Sequence, residues 1–342
     1  MTKRIKLILT ALLLLGGVEE SMGQFKFPSL FKKSDRVRRT TFQPYSSVGF
    51  GVGTSHYYGD LAPYSAPFSS TLNTLRWNVS ANYTRHFTPR LSGRIGLAFA
   101  RLGADDNRME KKDNFVNNYI RNLHFRNDVK ELSVVGIYNF IPGNRSYNRR
   151  PQVQPYIFAG LVLFAHNPRA KTPAFPETPS TWVSLQPIGT EGQGQPGYGQ
   201  PYSLVQAGIP LGLGVRYKIN DRWDVSAEGG LRFTFTKFLD DIGGKYADPN
   251  DLSPEAQLLG NRTLEAIAAR TEKDRTERVR RFLVQERGFP DDPGLDPFGQ
   301  PISGFSDRGD NRSTSTLPDS YILTSFTIHY ILPGKIKCPP IR

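Results

Sequence analysis

Residues 208–235 read GIPLGLGVRYKINDRWDVSAEGGLRFTF, and their alternation decides the fold. Residues two apart on a strand share a face. Ile209, Leu211, Leu213, Val215 and Tyr217 therefore share one face, and Gly208, Gly212, Gly214, Arg216 and Lys218 the other. Asn220-Asp221 supplies turn chemistry. Beyond it Trp223, Val225, Leu231, Phe233 and Phe235 oppose Asp224, Ser226, Glu228, Arg232 and Thr234.

The same period recurs along the chain. Eight stretches alternate: 46–59, 75–87, 92–101, 128–140, 153–164, 202–218, 223–238 and 319–332. In the first, Val48, Phe50, Val52 and Tyr58 oppose Gly49, Gly51, Gly53 and Ser55. The fourth and fifth are less regular: Val135 and Ile137 interrupt one polar face, and Ile157, Leu161 and Leu163 the other. The gaps run 15, 4, 26, 12, 37, 4 and 80 residues, alternately long and short. An even number of tilted strands with short turns at one end and long loops at the other marks a bacterial outer-membrane barrel. The expected class is all-β: an eight-stranded antiparallel transmembrane β-barrel with long extracellular loops, one of them partly helical.

A soluble β-sandwich has the same period with its apolar face inward. Three features favour the membrane. The stretches are long enough, since a spanning strand needs about 9–11 residues. Aromatics gather near the strand ends (Tyr57, Tyr58, Trp77, Phe87, Tyr138, Phe140, Tyr217, Trp223, Phe238 and Tyr330), as interface girdles do. The N-terminus also has export character. Lys3, Arg4 and Lys6 precede the apolar run Leu7–Leu15, and Ser21-Met22-Gly23 offers a small-x-small cleavage site. The expected organisation is a signal peptide at 1–23, a basic periplasmic lead-in at 24–44, the barrel at 45–333 and a periplasmic tail at 334–342.

Hydrophobic content is only 38% of 342 residues, which suits a barrel because every second strand residue faces lipid. Cys338 is the only cysteine, which excludes an internal disulfide. The net charge of +13 is scattered over signal peptide, loops and lumen, with no aromatic-interleaved basic stripe. Nucleic acid is therefore not expected as a partner; outer-membrane lipids are.

Val79, Leu97, Leu213 and Phe233 are expected to face lipid, and Asn82, Arg94, Glu228 and Arg232 the lumen. Side chains fill an eight-stranded barrel, and buried charges must pair. Arg94, Glu131, Arg216, Glu228 and Arg232 thus form the candidate lumen charge network. The 165–201 loop, rich in Pro, Gly and Gln, is expected to lack a core and be mobile. In the 239–318 loop, Ser253-Pro254-Glu255 looks like a helix start, with Gly288 and Pro290 as its end and Gly260-Asn261 as a break. Asp274 with Arg278 and Glu277 with Arg281 have i,i+4 spacing, and the charged middle suits a solvated face.

No Walker loop, zinc spacing or HExxH motif occurs. The Gly49–Gly53 run lacks a following helix, so it is expected to make room inside the barrel. Ser55, His56 and Asp60 lie near one rim, but Ser55 and His56 are adjacent and point to opposite faces. No enzyme activity, catalytic residue, metal or cofactor is expected.

Tyr58, Gly59 and Asp60 end the first strand, and Asp240 and Asp241 end the seventh. The eighth lies between those two in a closed barrel, so both motifs meet at one rim. They are expected to form a hydrogen-bonded cap, with Ca²⁺ coordination as the alternative.

The Tyr-Gly-Asp-Leu and Phe-Leu-Asp-Asp motifs, with the tail Gly334-Lys335-Ile336-Lys337-Cys338-Pro339, resemble a Bacteroidetes outer-membrane barrel family. Its best-known members are the PorG-like proteins of the type IX secretion and gliding machinery. The resemblance spans the signal peptide and all eight strands. It implies a non-enzymatic anchor or organiser that contacts periplasmic lipoprotein and ring components. A stand-alone structural or surface-binding barrel is the alternative. Arg149, Arg150, Lys335 and Lys337 are the candidate periplasmic contacts.

Overall fold

In a computed structural model the described residues are 42–109, 116–144, 146–173, 179–290, 297–298 and 307–332. The expected signal peptide, all but the last three residues of the lead-in, and the tail with Lys335, Lys337 and Cys338 lie outside them. Ten strands form: β1 (Tyr45–Tyr58), β2 (Arg76–His86), β3 (Leu91–Asp105), β4 (His124–Asn139), β5 (Val153–Ala165), β6 (Pro168–Lys171), β7 (Trp182–Ser184), β8 (Val205–Lys218), β9 (Trp223–Thr234) and β10 (Ser320–Leu332).

Eight of them close a ring. The antiparallel order is β3-β2-β1-β10-β9-β8-β5-β4, and β4 returns to β3. These eight are the alternating stretches of the sequence. Closure pairs the first strand with the last, from Ser46 opposite Leu332 to Tyr58 opposite Ser320. β3 and β4 run past the expected ends, pairing from Leu91–Tyr138 out to Asp105–His124. β6 and β7 form a hairpin, hung on β4, within the 165–201 loop.

The outer face is apolar. Phe326 is 73% exposed, Leu213 67%, Leu161 66%, Phe50 63% and Leu97 61%. A continuous belt of such residues far exceeds the scattered patches of a soluble surface, and it encircles the ring as a lipid-facing band does. Among the described residues no helix is long and apolar enough to cross a membrane. Trp77, Phe87, Tyr138, Phe140, Tyr217 and Trp223 are exposed at the ends of this band. Tyr57 and Tyr58 are buried instead, and Phe238 stacks on Tyr202 at 4.7 Å between ring centres. These three belong to the rim rather than to a girdle.

β5 differs from its sequence reading. Ile157, Leu161 and Leu163 point outward, while Tyr156, Phe158, Val162 and Phe164 are buried inside. Both faces of this strand are apolar, so alternation alone could not say which faced lipid. The inward rings need space, and glycines on the neighbouring strands give it. A Cβ on Gly212 would lie 2.4 Å from Phe158 Cζ, and one on Gly214 2.5 Å from Tyr156 Cζ.

Among the described residues the loops add four α-helices: α1 (Pro67–Asn73), α2 (Val116–Arg121), α3 (Pro254–Gly260) and α4 (Thr276–Arg287). Ser253 caps α3 by accepting the Ala256 N–H, and Gly288 ends α4 in the left-handed region at φ 69°. The expected helix is split after Gly260. Asp274 lies before α4, where it accepts the Thr276 N–H at 2.7 Å and hydroxyl at 2.6 Å.

The lipid-facing assignment is testable at Leu213. Leu213→Arg should destabilise the barrel by about 2–4 kcal/mol, the cost of a cation near the bilayer midplane. Equilibrium unfolding in phospholipid vesicles is the measurement, and wild-type stability of the variant would refute the assignment.

Candidate functional site

The lumen and its long-loop rim hold the buried chemistry. All five expected lumen charges lie inside. Arg94 Nη1 meets Glu228 Oε2 at 2.6 Å, and Arg232 meets Glu131 at 3.3 Å. Tyr156 donates to Glu228 at 2.8 Å and Tyr321 to Glu131 at 3.1 Å. Arg216 donates to Gln154 at 3.3 Å and lies over the Tyr156 ring at 5.2 Å. Each carboxylate thus has a guanidinium and a phenol, which offsets the large desolvation cost of burying it. The cavity lined by Arg94, Glu131, Glu228 and Arg232 measures about 40 Å³, room for a few water molecules.

Above this layer sits an apolar one. Tyr57, Leu102, Phe125, Phe164, Leu239, Ile242, Tyr321 and Leu323 pack into one cluster. Tyr57 meets Phe125 edge-on at 4.8 Å, and Phe164 meets Tyr321 at 5.8 Å. Strand ends and loop residues together fill this level of the lumen.

The two rim motifs do come together, joined by an aspartate that the sequence reading did not single out. Carboxylate oxygens of Asp60, Asp240 and Asp319 all lie within 4.8 Å of one another, and all three residues are buried. Tyr57 Oη bridges Asp240 at 2.7 Å and Asp319 at 3.0 Å. Asp60 accepts the Thr314 N–H at 2.5 Å, the Ser315 N–H at 2.7 Å and the Ser313 hydroxyl at 3.0 Å. Asp240 also accepts the Ile242 N–H at 3.0 Å, and Asp319 the Leu239 N–H at 2.9 Å. Each of the six oxygens has a donor within hydrogen-bond distance, with the single Tyr57 proton shared between Asp240 and Asp319, an arrangement that suits a hydrogen-bonded cap. Three carboxylates at this spacing cannot all ionise cheaply. Desolvation, with neighbouring carboxylates adding to it, holds the Asp240 and Asp319 carboxyls well above the ordinary range. Asp319 is the residue just before the last strand, so ring closure brings it here; in sequence its signal is only its position.

Asp241 turns the other way, with φ 71°. It accepts from Tyr202 Oη at 2.7 Å and from Thr190, and burial pushes its carboxyl up to about 6. Tyr58 is buried, with its hydroxyl on Thr71. Gly59 pairs with Ala62 to form the turn that presents Asp60, and a Cβ on it would lie 2.1 Å from Asp319 Oδ1.

Four buried arginines tie the loops over this rim. Arg121 pairs with Asp106 at 2.8 Å and donates to the carbonyls of Asp60 and Arg312. Arg275 donates to the carbonyls of Ile120 at 2.8 Å and Tyr119 at 3.2 Å. Arg262 reaches the Lys171 carbonyl at 2.8 Å. Arg312 contacts Glu191 at 3.1 Å and the Asp241 carbonyl at 2.6 Å. The charged segment read as a solvated face is therefore partly interior. The 165–201 loop is also structured rather than coreless: Ala170 and Leu185 pack on Leu259. α2 and α4 form a further apolar cluster from Tyr119, Ile120, Val279, Phe282 and Leu283.

Ser55, His56 and Asp60 form no catalytic relay. Ser55 donates to the Arg101 carbonyl at 2.5 Å, while His56 bonds Thr54 and the Thr71 carbonyl, both at 2.9 Å. At the opposite end Arg149 is exposed. Arg150 is buried, pairing with Asp224 at 2.7 Å and donating to the carbonyls of Asn220 and Asp221. It clamps the 219–222 turn and is not offered to a partner.

The chain has the fold of an outer-membrane β-barrel. A family model described as a domain of unknown function, DUF6089, matches residues 38–171. No curated protein matches the sequence. Among solved structures, Neisserial surface protein A is 7% identical, with 83% of this chain and 96% of that one covered at a TM-score of 0.35. Ail of Yersinia pestis, solved with the heparin analogue sucrose octasulfate, is 9% identical, with 85% and 99% covered and a TM-score of 0.31. OprG from Pseudomonas aeruginosa is 8% identical, with 86% and 99% covered and a TM-score of 0.31.

Two outcomes follow from this arrangement. With the lumen filled at two levels, protein reconstituted in planar bilayers should give no steady porin-like current; large stable single-channel openings would contradict the packing. The rim should also respond to pH. Folding raises the Asp240 and Asp319 carboxyl pKa values, so the protonated forms stabilise the cap. That stabilisation is complete below the ordinary carboxylate range and lost as pH rises through the raised values, Asp241 following near its own value of about 6. Hydrogen exchange of 236–243 and 313–319, corrected for intrinsic rates, should speed up from acid to alkaline pH, and Asp319→Asn should flatten the response.

Proposed function

We propose that the protein is a non-enzymatic outer-membrane barrel that anchors or organises a type IX secretion or gliding complex. The observation that carries this reading is the filled lumen. The Arg94–Glu228 and Arg232–Glu131 pairs and the apolar layer above them fill the narrow lumen at two levels, which supports the two surfaces as the working parts. The motifs behind the PorG-like resemblance also interlock at one rim through Asp60 and Asp240, which supports their being a unit.

By the length rule, the long loops are extracellular and both termini periplasmic. Arg149 is then exposed to the periplasm. Lys335 and Lys337, which lie outside the described residues, are the further basic residues that the sequence offers to an acidic periplasmic lipoprotein or ring subunit. Contacts of this kind are screened over about 8–10 Å at physiological salt.

A second reading has its own observation. The extracellular loops fold into a cap with the α2–α4 apolar cluster as a core, more structure than connections require. That favours a stand-alone barrel binding through its loops.

Affinity purification from detergent-solubilised membranes separates the two readings. The anchor reading expects ring and lipoprotein subunits to co-purify, and expects Arg149→Gln, Lys335→Gln and Lys337→Gln together to release them while the barrel still folds. Type IX cargo should then accumulate in the periplasm. Recovery of the barrel alone, with secretion intact in that variant, favours the cap.

A further inference from the structure

The outer face of β2, β3, β4 and β6 carries an arrangement that neither reading uses. Strand register stacks it in rows. Leu97, Leu132 and Leu163 form an apolar row. Phe99, Lys130 and Ala165 form the next. Arg101 and Asp128 follow, and then Gly103, Arg126 and Arg169. Successive rows thus change from hydrocarbon-like to cationic toward the long-loop end.

The cations are held close together. A Cβ on Gly103 would lie 3.5 Å from Arg76 Nε and 3.7 Å from Arg126 Cα, so the Arg76 guanidinium lies across this glycine beside Arg126. Arg126 sits over the Trp182 ring at 4.4 Å and Arg101 over Trp77 at 5.5 Å. Lys130 and Arg169 are exposed. On this face Arg76, Arg101, Arg126, Lys130 and Arg169 meet one carboxylate among the described residues, Asp128, and Arg101 holds it at 2.6 Å. Asp105, further out, is taken by Arg270 at 2.8 Å. Arg126 Nε is buried without a hydrogen-bond partner.

We propose that this face binds a phosphate-bearing glycolipid of the outer leaflet, lipopolysaccharide in chemical class. Its phosphates would lie on Lys130, Arg126 and Arg169 and its acyl chains on the leucine row. Three arguments select this occupant. Four strands spaced about 4.8 Å apart spread the cations over about 15 Å, which suits a headgroup with several anionic groups. Arginine forks and lysine point charges are the side chains that hold phosphate. The cations also stand at the hydrocarbon boundary between Trp77 and Trp182, where interfacial aromatics sit. Below them a groove of about 460 Å³, lined by Leu97, Phe99, Lys130, Leu132 and Leu163, continues down the lipid-facing surface. A soluble anion has no use for that apolar floor, whereas a lipid uses both levels. Basic patches of this type hold anionic headgroups.

The inference rests on the long loops being extracellular. The test uses the full-length barrel in detergent and fluorescent lipopolysaccharide. The triple variant Arg126→Gln, Lys130→Gln, Arg169→Gln should bind about a hundredfold more weakly, given the usual strength of a basic residue against an anionic lipid surface. Wild type should bind dephosphorylated lipopolysaccharide about as weakly. A matched variant at the other end, Arg85→Gln, Arg90→Gln, Arg222→Gln, should keep wild-type affinity, and heat-modifiable migration on gels confirms that both variants fold. Unchanged affinity in the first variant overturns the proposal. So does equal loss in the matched variant, or full competition by inorganic phosphate, which would indicate an anion site without a lipid. Protease cleavage of 165–201 on intact cells tests the orientation separately, so a failure of topology is not mistaken for a failure of binding.

Discussion

Closure of the sheet is the constraint on which the rest depends. In hydrocarbon an unpaired main-chain N–H or C=O costs several kcal/mol, so a spanning sheet cannot have edges. β1 must therefore find β10 across almost the whole chain, and it does so with regular register from Ser46–Leu332 to Tyr58–Ser320. That pairing sets which face of each strand sees lipid. It also places Asp319 beside Asp60 and Tyr57, residues that share no local sequence.

Eight strands make a narrow tube, and its width dictates the interior. Lumen side chains touch, so large groups need small ones opposite. Phe158 and Tyr156 occupy space left by Gly212 and Gly214. Charges fit only as pairs with added hydrogen bonds, as in Arg94–Glu228–Tyr156 and Arg232–Glu131–Tyr321. The same narrowness turns function toward the surfaces.

Outside the bilayer a different problem arises, because long loops leave many carbonyls without strand or helix partners. A buried carbonyl needs a donor, and a guanidinium supplies five N–H groups in a fixed fork. Arg121, Arg262, Arg275 and Arg312 are each buried and each donate to carbonyls of another segment. Their charges are offset by Asp106, Glu265 and Glu191 and by the carbonyl dipoles around them. The cap is thus held largely by polar contacts, with small apolar clusters beneath.

By itself the sequence determined what is local. A period of two recurs within each strand, so all eight strands, their order and most of their faces are legible in it. Ser253 and Gly288 mark helix ends through their own backbone and side-chain chemistry, and Asn220-Asp221 marks a turn. The rim position of Asp60 and Asp240 followed from their place at strand ends in a closed ring. Tertiary structure alone decided whatever depended on two distant segments meeting. On β5 both faces are apolar, and only the neighbouring strands determine which one is lipid-facing. Arg150 reads as a surface cation until the 219–222 turn surrounds it. Arg262, Arg275 and Arg312 look solvated because their acceptors are main-chain carbonyls, which every residue carries and no sequence pattern marks. Asp319 becomes part of the rim cluster only because the last strand closes the barrel against the first.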